Sequence, residues 1–280
     1  MPEPQLPSAQ AHGPFPPDRF LPYLTTTDIA ALPKQKAAVA LNVCAVEQHG
    51  PHLPVATDVI LGVSILSLAL ERLEPSVQLW VIPPLAYGRS NEHARFAGTV
   101  TLSQSTMATV IREIAQSLSR TGFRRLILFN SHGGNLPVLD YLARDLREET
   151  GLMVFPISMF RLGLEYPQIS EEEARWGTHA GEWETSMMLA LAPELVHMGR
   201  TRDIGGYARY RGATEHLTLT GPMHFAWLTE DITTSGAIGD PRPAERQRGE
   251  DIIELTVAKT ARVLEEICSF EMPIPADSPD

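Results

Sequence analysis

Polar residues that could bind a metal ion follow an early apolar run of the sequence. The segment 47–52 reads Glu-Gln-His-Gly-Pro-His, and Asp58 follows after a short gap. Glu47 and His49 occupy positions i and i+2, so an extended chain would direct both side chains to the same side, and the Gly-Pro turn can bring Asp58 back towards them. Two carboxylates and an imidazole suit Zn²⁺ or Mn²⁺. Alternatively, Asp58 is a helix-start acid and Glu47 a loop acid.

A second polar cluster lies in the middle of the chain. Residues 130–135 read Asn-Ser-His-Gly-Gly-Asn and directly follow the most apolar run. The glycines allow close approach of the backbone, and His132 would leave a strand at its carboxyl end. A glycine-rich turn before a helix could instead bind phosphate, although neither G-x-G-x-x-G nor G-x-x-x-x-G-K-S/T occurs in the sequence. A lone histidine in such a turn could also be structural.

The third cluster opens a predicted helix. Residues 179–186 read His-Ala-Gly-Glu-Trp-Glu-Thr-Ser. Helical spacing places Glu184 on the same apolar face as Met187 and Leu191. An acid on that face costs free energy unless it is paired or bound to a metal, which makes Glu184 a ligand candidate. Glu182 faces a more polar direction and is expected to be solvated or to support a ligand.

Together the clusters supply more ligands than one ion needs. The candidate metal ligands are Glu47, His49, Asp58, His132 and Glu184. Five ligands would overfill a tetrahedral zinc site, but they suit two ions bridged by Asp58. Two ions about 3.5–4 Å apart can hold a bridging hydroxide as nucleophile and polarise a carbonyl. His179 is the candidate catalytic residue, because it could take the proton of the attacking water or deliver it to the leaving nitrogen.

The elements that must position these clusters alternate between two kinds. Short β-branched runs occur at Ala38–Ala45, Val77–Ile82, Leu126–Asn130 and Leu152–Ile157, and segments of helical period lie between them at Val59–Leu73, Gln104–Arg120 and Leu136–Glu149. This alternation predicts an α/β fold with a mainly parallel sheet and helices on both faces. Further helices are predicted at Glu182–Leu191 and Ala244–Ile267, and Gly199–Gly239 is predicted to be mostly loop.

Composition limits the class of protein. The 280 residues carry a formal net charge of −11, the wrong sign for a nucleic-acid-binding protein. The longest apolar run, Val59–Leu70, is too short to span a membrane. Two distant cysteines give no disulfide framework, and no signal peptide is evident; we therefore expect a cytoplasmic protein. Residues 1–22 contain seven prolines and are predicted to form an extended arm, disordered or laid over a neighbouring subunit, ahead of a single catalytic domain at 23–280.

These motifs resemble the creatininase (creatinine amidohydrolase) family. The matching pieces are E-x-H-G-x-H-L-P from position 47, T-D from 57, G-x-S-x-E-H-x-x-F-x-G-T from 88, N-x-H-G-G-N from 130, H-A-G-x-x-E-T-S from 179 and G-D-P from 239. The resemblance spans roughly residues 25–265. It implies a three-layer α/β/α sandwich, two divalent ions per chain (Zn²⁺, with Mn²⁺ or Fe²⁺ as alternatives), hydrolysis of cyclic or linear amides, and a homo-hexamer. It places four metal ligands at Glu47, His49, Asp58 and His132, and a catalytic histidine at His179.

The chain departs from the creatinine-hydrolysing members at one position. Those members carry a metal-binding Glu two residues after the histidine that matches His132, whereas this chain has Gly134. The His-Gly-Gly-Asn form is similar to other branches, which include formamide deformylases and peptide-processing maturases. If both ions are kept, Glu184 is the expected substitute for the missing Glu.

Residues around the ligands are predicted to shape the substrate pocket. The loop with Ser90, Glu92 and His93 is expected to border it, although the loop alone reads as a surface segment. Trp176 could wall a planar substrate or simply pack, and Glu182 is the other pocket candidate. His52 and Asn135 are expected to support the metal ligands, and His52 could equally cap its turn.

The sequence therefore predicts a dinuclear metal-dependent amidohydrolase that acts on a small-molecule amide or formamide. The alternatives are creatinine amidohydrolase itself, a non-catalytic module that binds a metal or a phosphate at the turn of residues 131–135, and a member that keeps one structural metal. The expected partners are the substrate and further copies of the chain, without nucleic acid or membrane.

Overall fold

The core of the fold is a parallel sheet of four strands. The computed structural model describes residues 15–166, 169–201, 214–220 and 223–272. The strands are β1 (Ala38–Val43), β2 (Leu79–Leu85), β3 (Arg125–Asn130) and β4 (Met153–Ser158), in the order β2-β1-β3-β4. All three pairs are parallel. The central strands β1 and β3 are buried at every position, as expected for strands covered on both faces.

Helices cover both faces of the sheet. The long helices are α2 (Thr57–Glu71), α3 (Gln104–Arg120), α4 (Leu136–Thr150) and α8 (Arg246–Ser269), and the shorter ones are α1 (Thr26–Ala31), α5 (Glu171–Trp176), α6 (Glu182–Leu191) and α7 (Thr229–Ile232). Helices α2, α6 and α8 share a core with one face, whereas α3 and α4 share a core with the other. The predicted α/β fold with helices on both faces of a parallel sheet is confirmed.

Alternation along the strands divides the core in two. In β3, Ile127 and Phe129 pack against the α2, α6 and α8 layer, while Leu126 and Leu128 pack against the α3 and α4 layer. Successive side chains of a strand point to opposite faces, so a strand made only of apolar residues must be covered twice. The continuous apolar runs of the sequence therefore specify the three layers.

The order in which strands are added to the sheet reverses between β1 and β3. From β1 the chain crosses to β2 on one side, and it then returns past β1 to β3 and β4 on the other. Beyond the carboxyl ends of the two strands at such a point, the loops diverge and leave a crevice that commonly holds the functional site. Here those strands are β1 and β3, which lead into residues 44–56 and 131–135 respectively.

The N-terminal segment packs on the edge of the sheet. Residues 1–14 of the predicted arm lie outside the described residues. Phe15 and Phe20 are buried, Phe20 forms an isolated parallel bridge with Val81 of β2, and Arg19 donates a hydrogen bond of 2.8 Å to the Val77 carbonyl. This segment therefore covers the outer edge of β2, the edge strand of its own sheet. The boundary between the arm and the catalytic domain stays a prediction.

The segment 199–239, which was predicted to be mostly loop, packs against the start of α6. Within the predicted loop 199–239, residues 202–213 and 221–222 lie outside the described part, and the described residues include the short helix α7. An isolated bridge between His179 and Ile238 brings this segment to the start of α6. Among the described residues, no helix is long and apolar enough to cross a membrane.

Candidate metal centre

The predicted metal ligands converge at the carboxyl ends of β1 and β3. Glu47 and His49 lie in the loop after β1, which doubles back through a hydrogen bond from the Glu47 amide to the Val55 carbonyl at 3.0 Å. Asp58 stands in the first turn of α2, where the helix dipole favours a carboxylate. His132 directly follows the residue after β3. All four side chains are buried.

The remaining candidates come from the start of α6. His179 precedes the helix, and Ala180 adopts a left-handed conformation with φ of 54°, which is uncommon for a residue with a side chain. The Ala180 amide donates a hydrogen bond of 2.5 Å to the Glu184 Oε2 atom, which fixes that carboxylate one turn into the helix. This turn directs His179 and Glu184 towards the same point as the ligands from β1 and β3.

Asp58 lies between two imidazoles. Its Oδ1 atom is 3.3 Å from His49 Nε2, and its Oδ2 atom is 3.1 Å from His132 Nδ1. Each imidazole also faces a second carboxylate. His49 Nε2 is 3.9 Å from Glu184 Oε1, and His132 Nε2 is 3.2 Å from Glu47 Oε2. The side chains thus form two neighbouring sets that share Asp58.

The donor atoms fit divalent cations. Within the described part of the chain, Glu47 Oε2, His49 Nε2 and Asp58 Oδ2 are buried without a hydrogen-bond partner, a costly state unless a cation binds them. Candidate ligand atoms lie within 4.8 Å of one another in three sets: Glu47, Asp58 and His132; His49, His179 and Glu184; Glu47, His93 and His179. His49 donates from Nδ1 to the Glu47 carbonyl at 3.0 Å, which leaves Nε2 for a metal.

Electrostatics favour a cation at the same place. Burial alone would lower the pKa of His49, but the carboxylates of Asp58, Glu184 and Glu47 outweigh it and raise the pKa to about 10. Burial opposes the charge of Asp58 as well, yet His49 and His132 lower the pKa of that carboxyl to about 2. Burial raises the pKa of Glu184 to about 7. Without a metal the centre therefore attracts protons, and metal ions compete for the same atoms.

His179 lies between two other histidines. Its ring centroid is 4.3 Å from that of His49 and 4.1 Å from that of His93, and its Nδ1 atom is 3.6 Å from Glu47 Oε1. Burial and the neighbouring His93 and His49 hold the pKa of His179 well below its usual range. The imidazole is therefore neutral in the metal-free protein.

The predicted pocket loop does reach the centre. Ser90 Oγ lies 3.4 Å from His132 Nε2, Glu92 Oε1 lies 3.7 Å from the same atom, and His93 Nε2 lies 3.5 Å from Glu47 Oε1. Ser90 and His93 are buried, whereas the Glu92 side chain keeps 19% of its surface exposed. Of these three residues, Glu92 is the one that borders solvent.

Glu92 occupies the space that a side chain at position 134 would need. A Cβ atom built on Gly134 would lie 2.5 Å from each of three atoms: Glu92 Oε1, His132 Nε2 and the Arg89 carbonyl oxygen. Glu184, the expected substitute for a carboxylate at 134, lies instead on the His49 side of the centre. The structure therefore brings two carboxylates to the centre besides Glu47 and Asp58, one on each side.

His52 and Asn135 connect loops around the centre. His52 Nε2 lies 2.9 Å from the Thr185 hydroxyl, which ties the loop after β1 to α6. Asn135 donates from Nδ2 to the Cys44 carbonyl at 3.1 Å and accepts from the Arg89 amide at 2.9 Å. The two side chains hold the ligand-bearing loops together without touching the donor atoms described above.

Trp176 and Glu182 do not join the centre. Trp176 packs against a small apolar cluster with Leu219 and Ile238. Glu182 is buried and pairs with Arg248 of α8 at 2.6 Å. The expectation of a solvated Glu182 is therefore wrong, and its place in the substrate pocket stays a prediction. Its partner lies 66 residues away in the chain, and spacing within the helix gives no signal of it.

Two polar residues near the centre escaped prediction. Gln48 is buried between the ligands Glu47 and His49, and its side chain contacts both His93 and His179. Glu173 of α5 is buried against the glycines that precede α6. The position of Gln48 between Glu47 and His49 in the first motif could have indicated that it lies close to the metal ligands. Glu173 lies in a run of three glutamates that resembles an exposed helix start.

Comparisons with known proteins agree on one family. The family model Creatininase, described as creatinine amidohydrolase, matches residues 22–264. A mycofactocin precursor peptide peptidase of Mycobacterium ulcerans is 28% identical over 248 residues, covering 85% of this chain and 90% of that protein. Creatinine amidohydrolase of Pseudomonas putida is 29% identical over 245 residues, covering 81% and 88%. The solved structure "Creatininase Mn" superposes with a TM-score of 0.70 at 28% identity, covering 89% of this chain and 98% of that one.

Proposed function

The chain belongs to the creatininase family of hydrolases that act on C–N bonds, and we propose that it hydrolyses an amide with two divalent metal ions. The observation that carries the proposal is the position of Asp58, whose two oxygens face two different imidazoles at 3.3 and 3.1 Å. A carboxylate in that position can bridge two ions. The sequence-based resemblance supports the same arrangement.

Two ligand sets would hold the ions. Glu47, Asp58 and His132 would form one, and His49, Asp58 and Glu184 the other. Carboxylates and imidazoles accept Zn²⁺, Mn²⁺ and Fe²⁺, and we propose Zn²⁺, with Mn²⁺ or Fe²⁺ as alternatives. When bound, the ions would polarise the scissile carbonyl and lower the pKa of a water molecule. The Glu92 side chain keeps 19% of its surface exposed, so we propose that Glu92 borders the path of an entering substrate.

His179 would move the proton. It is neutral, buried and held between two imidazole rings. A neutral imidazole beside the ligands can accept the proton of the attacking water and return it to the leaving nitrogen. Asn135 and His52 would keep the loops in register while this transfer occurs.

The substrate class we propose is a small amide or formamide. Gly134 argues against creatinine itself, since the creatinine-hydrolysing pattern has a Glu at that position. A second candidate is an amide bond within a short peptide, which the similarity to the mycofactocin precursor peptide peptidase favours. We also propose a homo-hexamer, supported by the family resemblance and tested by light scattering of the eluted protein; a cytoplasmic location stays a prediction.

Elemental analysis and an amide panel test the proposal together. The purified protein should hold about two divalent ions per chain and hydrolyse at least one of creatinine, formamides, lactams or short peptides. Asp58→Ala should lose both ions and the activity. Asp140→Ala, which removes an exposed acid paired with Arg161 on the surface, is the matched control and should keep both. A metal-free Asp58→Ala protein with full activity would overturn the proposal.

A non-catalytic role gives different results. One ion per chain without hydrolysis of any amide would indicate a member with a structural metal. Tight binding of inorganic phosphate to the metal-free protein would indicate a phosphate-binding module at residues 131–135.

A further inference from the structure

We propose that Gln48 is a positioning residue: its side-chain amide fixes the tautomer of His93, and its backbone carbonyl fixes that of His179, so that His179 presents its Nδ1 atom to the metal centre. The tautomers follow from hydrogen-bond chemistry alone. Their consequence for the reaction deepens the proposed function and rests on it.

The backbone fixes the orientation of the Gln48 amide group. Its Nε2 atom donates to the Gly236 carbonyl at 3.0 Å, and its Oε1 atom accepts from the Gly50 amide at 2.9 Å. Exchanging the two atoms would place oxygen against a carbonyl and nitrogen against an N–H group, with two hydrogen bonds lost. The Gln48 amide therefore has one orientation, and its nitrogen faces the histidines.

The backbone carbonyl of Gln48 determines the tautomer of His179. His179 Nε2 lies 2.6 Å from this oxygen, which can only accept a hydrogen bond. His179 Nε2 must therefore carry a hydrogen. A neutral imidazole has one ring hydrogen, so with that hydrogen on Nε2 the Nδ1 atom keeps a free lone pair.

The second hydrogen of the Gln48 side-chain amide determines the tautomer of His93. One hydrogen of Nε2 goes to Gly236, and the other cannot go to His179 Nε2, which is itself a donor 3.1 Å away. The remaining acceptor is His93 Nδ1 at 2.8 Å, which also lies 2.6 Å from the Thr229 hydroxyl. A ring nitrogen that accepts a hydrogen bond carries no hydrogen, so His93 carries its ring hydrogen on Nε2.

Both rings then meet one oxygen of Glu47 with opposite roles. The protonated Nε2 atom of His93 lies 3.5 Å from Glu47 Oε1. His179 Nδ1 lies 3.6 Å from the same oxygen but offers only a lone pair. Two acceptors side by side need a hydrogen or a cation between them. Nδ1 is thus the His179 atom that would take a proton from water beside Glu47, whereas His93 acts through Glu47.

Spectra of the metal-free protein test the tautomers without any reaction. Long-range ¹H–¹⁵N correlations distinguish protonated from unprotonated ring nitrogens, and His93→Asn and His179→Asn variants assign the signals. Both histidines should show a protonated Nε2 and an unprotonated Nδ1 in the wild type. A protonated Nδ1 on His179 would overturn the proposal, and this measurement needs no Gln48 variant to fold.

Gln48→Glu should affect the tautomers of the two histidines differently. A carboxylate cannot donate to His93 Nδ1, so His93 should change to the Nδ1–H tautomer, whereas His179, held by a backbone carbonyl, should not change. Loss of the donor to Glu47 should weaken zinc binding by about 10- to 100-fold at unchanged stoichiometry. Gln78→Glu, on the surface, is the control and should change neither property.

Two results would contradict the role of Gln48: an unchanged His93 tautomer in Gln48→Glu, or unchanged zinc affinity. These outcomes are distinct from failure of the proposed function. A wild-type protein that binds no metal but shows the predicted tautomers would reject the hydrolase mechanism and leave the tautomer assignment intact.

Discussion

The absence of a side chain at Gly134 determines what surrounds His132. The carboxylate of Glu92 and the carbonyl of Arg89 both occupy the volume that a methyl group at 134 would need. For Gly133, its neighbour, the described residues place no neighbouring atom within 4 Å of the corresponding position. The two adjacent glycines thus have different roles, and a pair of alanine variants separates them.

Gly134→Ala should damage the centre, whereas Gly133→Ala should not. The added methyl group must displace Glu92 or His132, because the Arg89 backbone yields less easily, and such overpacking costs about 1–3 kcal/mol. Urea unfolding and zinc content measure the two effects. Equal stability and equal zinc content in both variants would show that Glu92 does not depend on the space at Gly134.

At the residue scale, residue type and spacing predicted most of the centre. Glu47, His49, Asp58 and His132 were expected to converge, and they do so because their loops follow β1 and β3. Gln48 was missed because a glutamine carries no distinctive metal-binding or acid–base signal. Its contacts with His93 and Gly236 span 45 and 188 residues, and local pattern cannot predict pairs so far apart.

At the scale of elements, α6 begins without a capping side chain of its own. Its N-cap residue is Gly181, and Glu173 from α5 accepts hydrogen bonds from the Trp183 amide at 3.5 Å and the Asp240 amide at 3.2 Å. One buried carboxylate thus joins the start of α6 to the loop before α8. The helix that carries Glu184 is positioned from outside its own sequence.

Glu173→Gln should change how stability depends on pH. Burial raises the pKa of Glu173 to about 7, above the unfolded value of about 4.3. The protonated form is therefore favoured in the folded state, and this contribution, at most about 4 kcal/mol, is complete below pH 4 and lost as pH rises through 7. The free energy of unfolding of the wild type relative to Glu173→Gln should fall between pH 4 and pH 7.

Urea titrations of metal-free protein at four pH values measure that difference. Glu171→Gln, in the same helix and exposed, should run parallel to the wild type. A constant offset between Glu173→Gln and the wild type at every pH would show that Glu173 does not titrate in this range.

The bounds of the predicted strands and helices are right to within a few residues, whereas the short helices α1 and α5 were not predicted. Helices α3 and α6 have the predicted bounds. The ion pair of Glu182 with Arg248 was not predicted, since it joins α6 to α8. Periodicity reports which face of a helix is buried, but it does not report which polar groups meet there.

At the scale of the whole molecule, the negative charge is partly concentrated at one point. Of the 34 acidic residues, Glu47, Asp58 and Glu184 meet in the buried centre, with Glu92 at its edge. Two divalent ions would offset four negative charges there. Folding alone does not reward such a cluster, so its free-energy cost is balanced when cations bind.

Zinc binding should release protons and weaken as pH falls from 8 to 6. In the metal-free protein the surrounding carboxylates, working against burial, raise the pKa of His49 to about 10 and that of His132 well above its usual value. Both imidazoles are therefore charged at neutral pH and must lose protons to bind metal. Calorimetric titrations in two buffers of different ionisation enthalpy measure the release; equal heats in both buffers would contradict it.

Removing the metal should also lower the stability of the folded protein. A ligand that binds only the folded state adds about 2.7 kcal/mol when its concentration is 100 times its dissociation constant. Chelation should therefore lower the unfolding midpoint of the wild type but leave that of Asp58→Ala unchanged. Equal decreases in both proteins would show that the chelator acts elsewhere.

Anomalous diffraction from crystals of the zinc-loaded protein tests the central claim most directly. We expect two zinc peaks per chain, one on each side of the Asp58 carboxylate, with Glu47 and His132 at one and His49 and Glu184 at the other. A single peak, or two peaks that do not share Asp58, would contradict the dinuclear centre.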